Sequence, residues 1–140
     1  MEEKIKMVSL KSIISLFVFI LLAHIFAVIN HWYWTYNWID IPMHFLGGFW
    51  LGLVFLYFIN PNLEIKNHKF LVMMILVISF AVFVGVLWEF FEFLSDVLFS
   101  SRGYFEISQQ GTADTMGDLF FDIIGGLVTF GIYRFSVKGK

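Results

Sequence analysis

Cysteine is absent from the chain, proline occurs twice in 140 residues, and charged side chains make up only 14% of it. Without cysteine there is no disulfide framework, no thiolate zinc site and no cysteine nucleophile. With so few prolines, long helices go uninterrupted. The scarcity of charge excludes a disordered chain, which needs high charge and few aromatic residues. Nine basic residues against eleven acidic ones leave a net charge of -2, so no basic surface exists to hold nucleic acid. What fills the chain is apolar: 59% hydrophobic and 21% aromatic, with a mean hydropathy of +0.82. Soluble domains average ~45–50% apolar and ~25% charged. The composition is that of a small integral membrane protein.

A membrane-crossing helix needs ~20 mostly apolar residues, because the hydrocarbon layer is ~30 Å thick and each residue rises ~1.5 Å. Four stretches qualify: about 12–29, 42–59, 70–94 and 113–133. No repeat, low-complexity tract or linker divides them. The expected architecture is therefore all-α, a four-transmembrane-helix bundle forming a single integral membrane domain over 1–140. The first stretch follows Lys4, Lys6 and Lys11, as in a secretory signal. It is longer than a signal's ~7–15 residue apolar core and no Ala-x-Ala-like site follows, so it reads as a retained span.

Basic residues orient such a chain. Lys4, Lys6 and Lys11 precede the first span, Lys66 and Lys69 separate the second and third, and Arg134, Lys138 and Lys140 follow the fourth. Arg102 alone falls on the other side. The expected location is the cell (inner or plasma) membrane, multi-pass, with both termini cytoplasmic and the loops 30–41 and 95–112 facing outward. The first outer loop, His31-Trp32-Tyr33-Trp34-Thr35-Tyr36-Asn37-Trp38, reads as an aromatic belt at the membrane–water interface.

Seven of the eleven acids fall into three groups. Asp40 sits with His44 at the start of span two; Glu89, Glu92 and Asp96 close span three; Asp114, Asp118 and Asp122 open span four. Residues three or four apart share a helix face, so each group is a one-sided stripe. The alternating span directions place all three stripes in the outer half of the membrane, level with His31. Small residues continue them inward: Gly48 and Gly52 below His44, Gly85 below Glu89, and Gly126 below Asp122. Such residues let membrane helices approach closely. The faces are thus expected to pack on the inner side and open into a polar cup on the outer side.

Acids at close range cannot all ionise without compensation. Three compensations are open: some carboxyls stay protonated, water fills the cup, or a divalent metal cation of unspecified identity binds, and the last suits the residue types, since carboxylates with an imidazole are ligands of magnesium, manganese, calcium, zinc or non-haem iron. The candidate metal ligands are Asp40, His44, Glu89, Glu92, Asp96, Asp114, Asp118 and Asp122, and Glu89 or Glu92 is the candidate general base. Plainer roles compete at some positions. Asp40 and Asp114 stand where a carboxylate caps a helix or favours its dipole, Asp96 can be merely solvated, and His24 suits a hydrogen bond between helices. Three functions are open: a metal-dependent enzyme acting on a lipid or lipid-linked substrate, a small cation or proton carrier, and a non-catalytic assembly or lipid-binding protein. The expected partners are membrane lipid and a second copy of the chain or a membrane protein.

Three segments carry a resemblance. Asp40-Ile41-Pro42-Met43-His44-Phe45, Trp88-Glu89-Phe90-Phe91-Glu92 and Gly111-Thr112-Ala113-Asp114-Thr115-Met116-Gly117-Asp118-Leu119-Phe120-Phe121-Asp122 resemble the YjdF-like family of prokaryotic inner-membrane proteins. The likeness to VanZ-like proteins is more distant. The YjdF-like pattern runs Asp/His pair, Glu-x-x-Glu, terminal acidic stripe, whereas VanZ-like proteins tend to Glu-x-x-Gln and Asp-x-x-x-Asn in the last two places. Acids at both Glu92 and Asp122 favour the first. The resemblance implies a fold and an inner-membrane location, with no established activity; the VanZ-like alternative implies an envelope or glycopeptide-resistance role.

Overall fold

Ser9 begins the first helix by accepting the amide of Ser12 on its Oγ at 3.1 Å, which satisfies one of the free donors of a helix start. From there the computed structural model describes residues 9–36, 38–59, 70–103 and 107–138, the last two by backbone alone. The elements are α1 (Leu10–Ile29), the single turn α2 (Trp32–Thr35), α3 (Asp40–Ile59), α4 (Phe70–Leu98), a 3-10 turn (Ser100–Arg102) and α5 (Thr112–Lys138), with no strand among the described residues. α1, α3, α4 and α5 are each long and apolar enough to cross a membrane. The all-α, four-span architecture read from the sequence is the one observed. Lys4, Lys6, Lys66, Lys69 and Lys140, on which the orientation argument draws, lie outside the described residues.

The helices outrun the apolar stretches at their ends. α3 starts two residues before Pro42, since a proline in the first turn removes an amide that has no intrahelical acceptor. α4 continues past Leu94 through Ser95, Asp96, Val97 and Leu98, none of them a breaker, and the chain turns away at Gly103 with φ 78°. At 29 residues α4 is about 43 Å long. It is longer than the ~30 Å hydrocarbon layer, so it tilts or its last turns reach headgroup depth. Asn30 closes α1 with its amide on the Phe26 carbonyl, and His31, in the left-handed region at φ 56°, reverses the chain into α2.

Cross-helix contacts fix the topology. Phe45 and Phe49 of α3 lie against Gly125 and Thr129 of α5, so these two helices run parallel. Gly85 of α4 meets Asp122, whereas Phe70 meets Phe130, so α4 runs antiparallel to α5. Trp50 of α3 donates to the Ile13 carbonyl of α1 at 2.9 Å, while His24 of α1 reaches Trp88 near the other end of α4. α1 therefore runs with α4. The start of α1 and the end of α5 share one end of the bundle; Asp40, Glu92 and Asp114 share the other.

α3 packs most extensively against α5, and the contact is backbone to backbone. A Cβ on Gly48 would run into the backbone of Asp122, and one on Gly125 into the backbone of α3 between Phe45 and Phe49. Small residues permit this approach, and dispersion between the close backbones replaces a hydrophobic driving force that lipid cannot supply. The fully buried Thr129 hydroxyl sits between the carbonyls of Phe49 at 2.8 Å and Gly125 at 3.1 Å, tying the same two helices. Toward the end opposite the acids, Leu56, Met73, Val77, Phe130 and Tyr133 form the apolar core. Outside, Phe19, Leu22, Phe58, Leu71, Phe83 and Phe91 keep more than half of their surface exposed, a belt suited to lipid contact.

The tight glycine on α5 is Gly125, one position before the residue that the four-residue steps select. A Cβ on Gly126 would stand 3.5 Å from the Cβ of Ala81, an ordinary contact. Gly125→Ala is therefore expected to destabilise the bundle by about 1–3 kcal/mol, the cost of overpacking, while Gly126→Ala stays within about 0.5 kcal/mol. Thermal unfolding of both variants in one detergent checks this, and equal melting temperatures would contradict the packing.

Candidate metal centre

His44 is the hub. It projects from the second turn of α3, is 6% exposed, and has carboxylates around it from three helices. Asp40, one turn earlier on the same face, places Oδ1 3.6 Å from Nε2. Glu89 of α4 places Oε1 3.8 Å from the same nitrogen. Asp122 of α5 places Oδ2 3.4 Å from Nδ1. Asp118, one turn before Asp122, contributes a carboxylate oxygen that lies with ligand atoms of Asp40 and His44 within 4.8 Å of one another. Glu89, Asp118 and Asp122 are 6%, 3% and 2% exposed. The close α3–α5 approach puts Asp122 beneath the imidazole, and Gly85 of α4 leaves room for its carboxylate, which a Cβ at that position would strike.

The loop after α4 folds back over this group. Gln109 donates from Nε2 to Glu89 Oε2 at 3.1 Å and lies 3.3 Å from Thr115 Oγ1. Glu89 is thus held by one oxygen, while Oε1 is buried with no hydrogen-bond partner, and so is Asp118 Oδ2. Asp96 anchors the loop itself: its carboxylate accepts the amides of Ser108 and Gln109 at 2.9 to 3.1 Å and the Ser100 hydroxyl at 3.0 Å. Asp114 reaches back from the first turn of α5 to the Gln110 amide at 3.2 Å. The three stripes thus divide. Asp40, His44, Glu89, Asp118 and Asp122 gather, whereas Asp96 and Asp114 face the loop.

Glu92 accepts from Trp88 Nε1 at 3.0 Å. It lines a cavity of about 220 Å³ between α1, α3 and α4, whose polar end is formed by Asp40, His44 and Asp122 and whose remainder is mostly apolar. His24 closes the outer end of this cavity. Its Nδ1 lies 2.8 Å from the Tyr33 hydroxyl, and its ring stands edge-on to Trp88. Burial, with the charges of Asp40 and Glu92 adding to it, pushes the Tyr33 phenol above its ordinary range, so the phenol keeps its proton and can donate to the imidazole. The aromatic loop also has a structural task, since Trp34 Nε1 donates to the Ile107 carbonyl at 2.7 Å and Gln110 Nε2 to the Tyr33 carbonyl at 3.0 Å. Trp32, Tyr36 and Trp38 stay exposed, as an interface belt requires.

Sequence reading misses Gln109, Tyr33 and Trp88 as parts of the site. Gln109 contacts Glu89 across 20 residues and Tyr33 contacts His24 across nine, spacings that no helical period marks. The one available signal was the pair of glutamines immediately before the Gly111-Thr112 start of the last span.

The donor set fits a divalent cation. Two ligands bonded to one ion at ~2.0–2.4 Å lie no more than ~4–4.8 Å apart, which is the spread of the Asp40, His44 and Asp118 atoms. The contact of Nδ1 with Asp122 leaves Nε2 facing Asp40 and Glu89. Ligating histidines commonly give their second nitrogen to a carboxylate in this way, which fixes the tautomer and the ring orientation.

Residues 3–138 match the model of the family described as predicted membrane protein (DUF2238), and the chain belongs to that family. It is the family to which the YjdF-like resemblance points, and its description assigns a membrane location without an activity. No curated protein and no solved structure matches the chain.

Because Asp96 holds the loop through its two backbone amides, Asp96→Ala is expected to free the amides of Ser108 and Gln109. Hydrogen bonds to a charged acceptor contribute ~1.5–3 kcal/mol, so exchange of these amides should accelerate at least about tenfold while the helices keep their protection. Unchanged exchange at both positions would show that the carboxylate does not anchor the loop.

Proposed function

We propose that this family member is a divalent-cation-binding membrane protein, with the ion held by Asp40, His44 and Asp118 and used in chemistry on a lipid or lipid-linked substrate. The carrying observation is the pair of buried carboxylate oxygens without a hydrogen-bond partner, Glu89 Oε1 and Asp118 Oδ2, in the group around His44, whose Nδ1 meets Asp122. An unpartnered buried acceptor costs about 1–3 kcal/mol, and more when charged. Five acids so close together, counting Glu92, exceed what one imidazole offsets. A cation held by Asp40, His44 and Asp118 offsets part of this charge and gives the Asp118 carboxylate a partner, while Glu89 Oε1 stays free to act as base.

The location follows from charge. Eight of nine basic residues fall on the side of the termini, which supports a cytoplasmic assignment of that side and with it a cluster in the outer half of the cell membrane. Headgroups lie at that depth. When bound, the ion would polarise a phosphoryl or carbonyl oxygen and lower the pKa of water. Glu89 suits the role of general base in this reading, supported by Gln109 bonding one of its oxygens while the other, without a hydrogen-bond partner, lies 3.8 Å from His44 Nε2. The carrier reading is weaker, because the core formed by Leu56, Met73, Val77, Phe130 and Tyr133 closes the inner half of the bundle.

Elemental analysis of purified protein tests the reading. We expect about one divalent ion per chain, lost on Asp118→Asn and kept on Glu89→Gln; metal at background level in the unaltered protein would refute it. Orientation has its own check, made simple by the absence of native cysteine. A membrane-impermeant thiol reagent should label Ser101→Cys in intact cells and Lys138→Cys only after permeabilisation. The reverse pattern would move the site to the inner leaflet.

A further inference from the structure

We infer that the cavity between α1, α3 and α4 binds a membrane lipid with a primary ammonium headgroup, its chain lying along α1 and its headgroup against Asp40 and Glu92. The inference goes beyond the cation site, with which the cavity shares Asp40 and His44, and draws on the walls that α1 and α4 add to it.

The cavity is two-sided in chemistry. Phe17, Leu21, Trp50, Leu51 and Val84 form an apolar length, and Asp40, His44, Asp122, Glu92, Tyr33 and His24 form its polar end. Such an arrangement matches an amphiphile lying parallel to the helices. The entrance is sideways. Trp50 closes the inner end through its bond to the Ile13 carbonyl, and the His24–Tyr33 pair with Trp88 closes the outer end. Between these closures Phe17 and Leu21 line the cavity yet keep 44% and 42% of their surface exposed. The seam between α1 and α4 therefore opens toward lipid, and α1 packs on α3 instead.

Charge selects the headgroup. No lysine or arginine lines the cavity, so a phosphate arriving alone would meet carboxylates without a basic partner. A divalent ion in the neighbouring cluster would offset two of the charges on Asp40, Glu89, Glu92, Asp118 and Asp122, leaving the wall anionic. An ammonium brings the missing charge and three donors. The rings of Trp88 and Tyr33 beside Glu92 add faces that attract a cation. A zwitterionic lipid can turn its phosphate outward to water while its amine enters.

The full-length protein, incubated with an equimolar mixture of phosphatidylethanolamine and phosphatidylglycerol of identical chains and examined by native mass spectrometry, reads the preference directly. We expect phosphatidylethanolamine to be retained over phosphatidylglycerol by about tenfold. Glu92→Gln should bring the two to parity, since its amide oxygen still accepts from Trp88 and the fold is kept. Leu51→Trp should reduce retention of both by filling the apolar length. Equal retention by the unaltered protein, or an undiminished preference in Glu92→Gln, overturns the inference. Repeating the measurement after chelation separates the two readings. A preference that survives metal removal belongs to the carboxylates, whereas its loss assigns the headgroup to the ion and refutes direct ammonium recognition. A protein that holds no metal yet keeps the preference would refute the cation site alone.

Discussion

The backbone contact between α3 and α5 is the constraint from which the rest of the arrangement follows. At Gly48 and Gly125 the two helices come closer than any side chain allows, and Thr129 seals the crossing with a hydroxyl shared between two carbonyls. In lipid no hydrophobic force draws helices together, so shape and hydrogen bonds must do it. The crossing decides the chemistry one turn away. With the helices this near and parallel, Asp122 is carried beneath the ring of His44, and Asp118 reaches the level of Asp40. A wider separation would leave the same residues facing one another across a gap that water or lipid would fill.

The second constraint is electrostatic. Ionisable groups inside a membrane face the bundle interior because lipid offers them nothing. Here that rule produces crowding: the groups escape lipid only by facing each other. Part of the crowding is relieved locally. Gln109 reaches one Glu89 oxygen, Trp88 reaches Glu92, and the Asp122–His44 contact links α5 to α3. What local contacts leave over is two buried oxygens without hydrogen-bond partners, one on Glu89 and one on Asp118, both members of the group around His44.

Much of this was legible in the sequence, for a physical reason. Four apolar runs must be helices in a bilayer, since no other open structure satisfies its backbone there, and steps of three and four put each acidic group on one face. Alternating span directions then bring the groups to one end. The limits are equally physical. A step of four drifts about 40° around a helix, so a long stripe cannot face one point along its whole length. Asp96 and Asp114, at the outer ends of their stripes, turn to the loop amides that lie nearest. The same drift makes Gly125 rather than Gly126 the point of closest approach. Loop contacts such as Gln109 to Glu89 carry no period at all, and the cavity beside α1 depends on where one helix is absent from a contact, which no pattern of residues announces.

That incomplete contact gives α1 a different standing from the other three spans. α3, α4 and α5 pack pairwise on one another, while α1 packs on α3, to which Trp50 ties its Ile13 carbonyl, and near its other end His24 bonds to Tyr33 of the following turn α2 and meets the Trp88 ring edge-on. A helix packed along its length on a second neighbour would bury Phe17 and Leu21; these residues remain partly open instead. Polar ties in hydrocarbon hold register without demanding close packing between them, because each bond is local and the alternative partner, lipid, cannot compete for it. A cavity thus survives between two closures, with the acidic end of the bundle as its head. The inner-half core, the glycine crossing and the loosely packed first helix together leave a recess with an acid-lined end beside α1, apolar along the rest of its length.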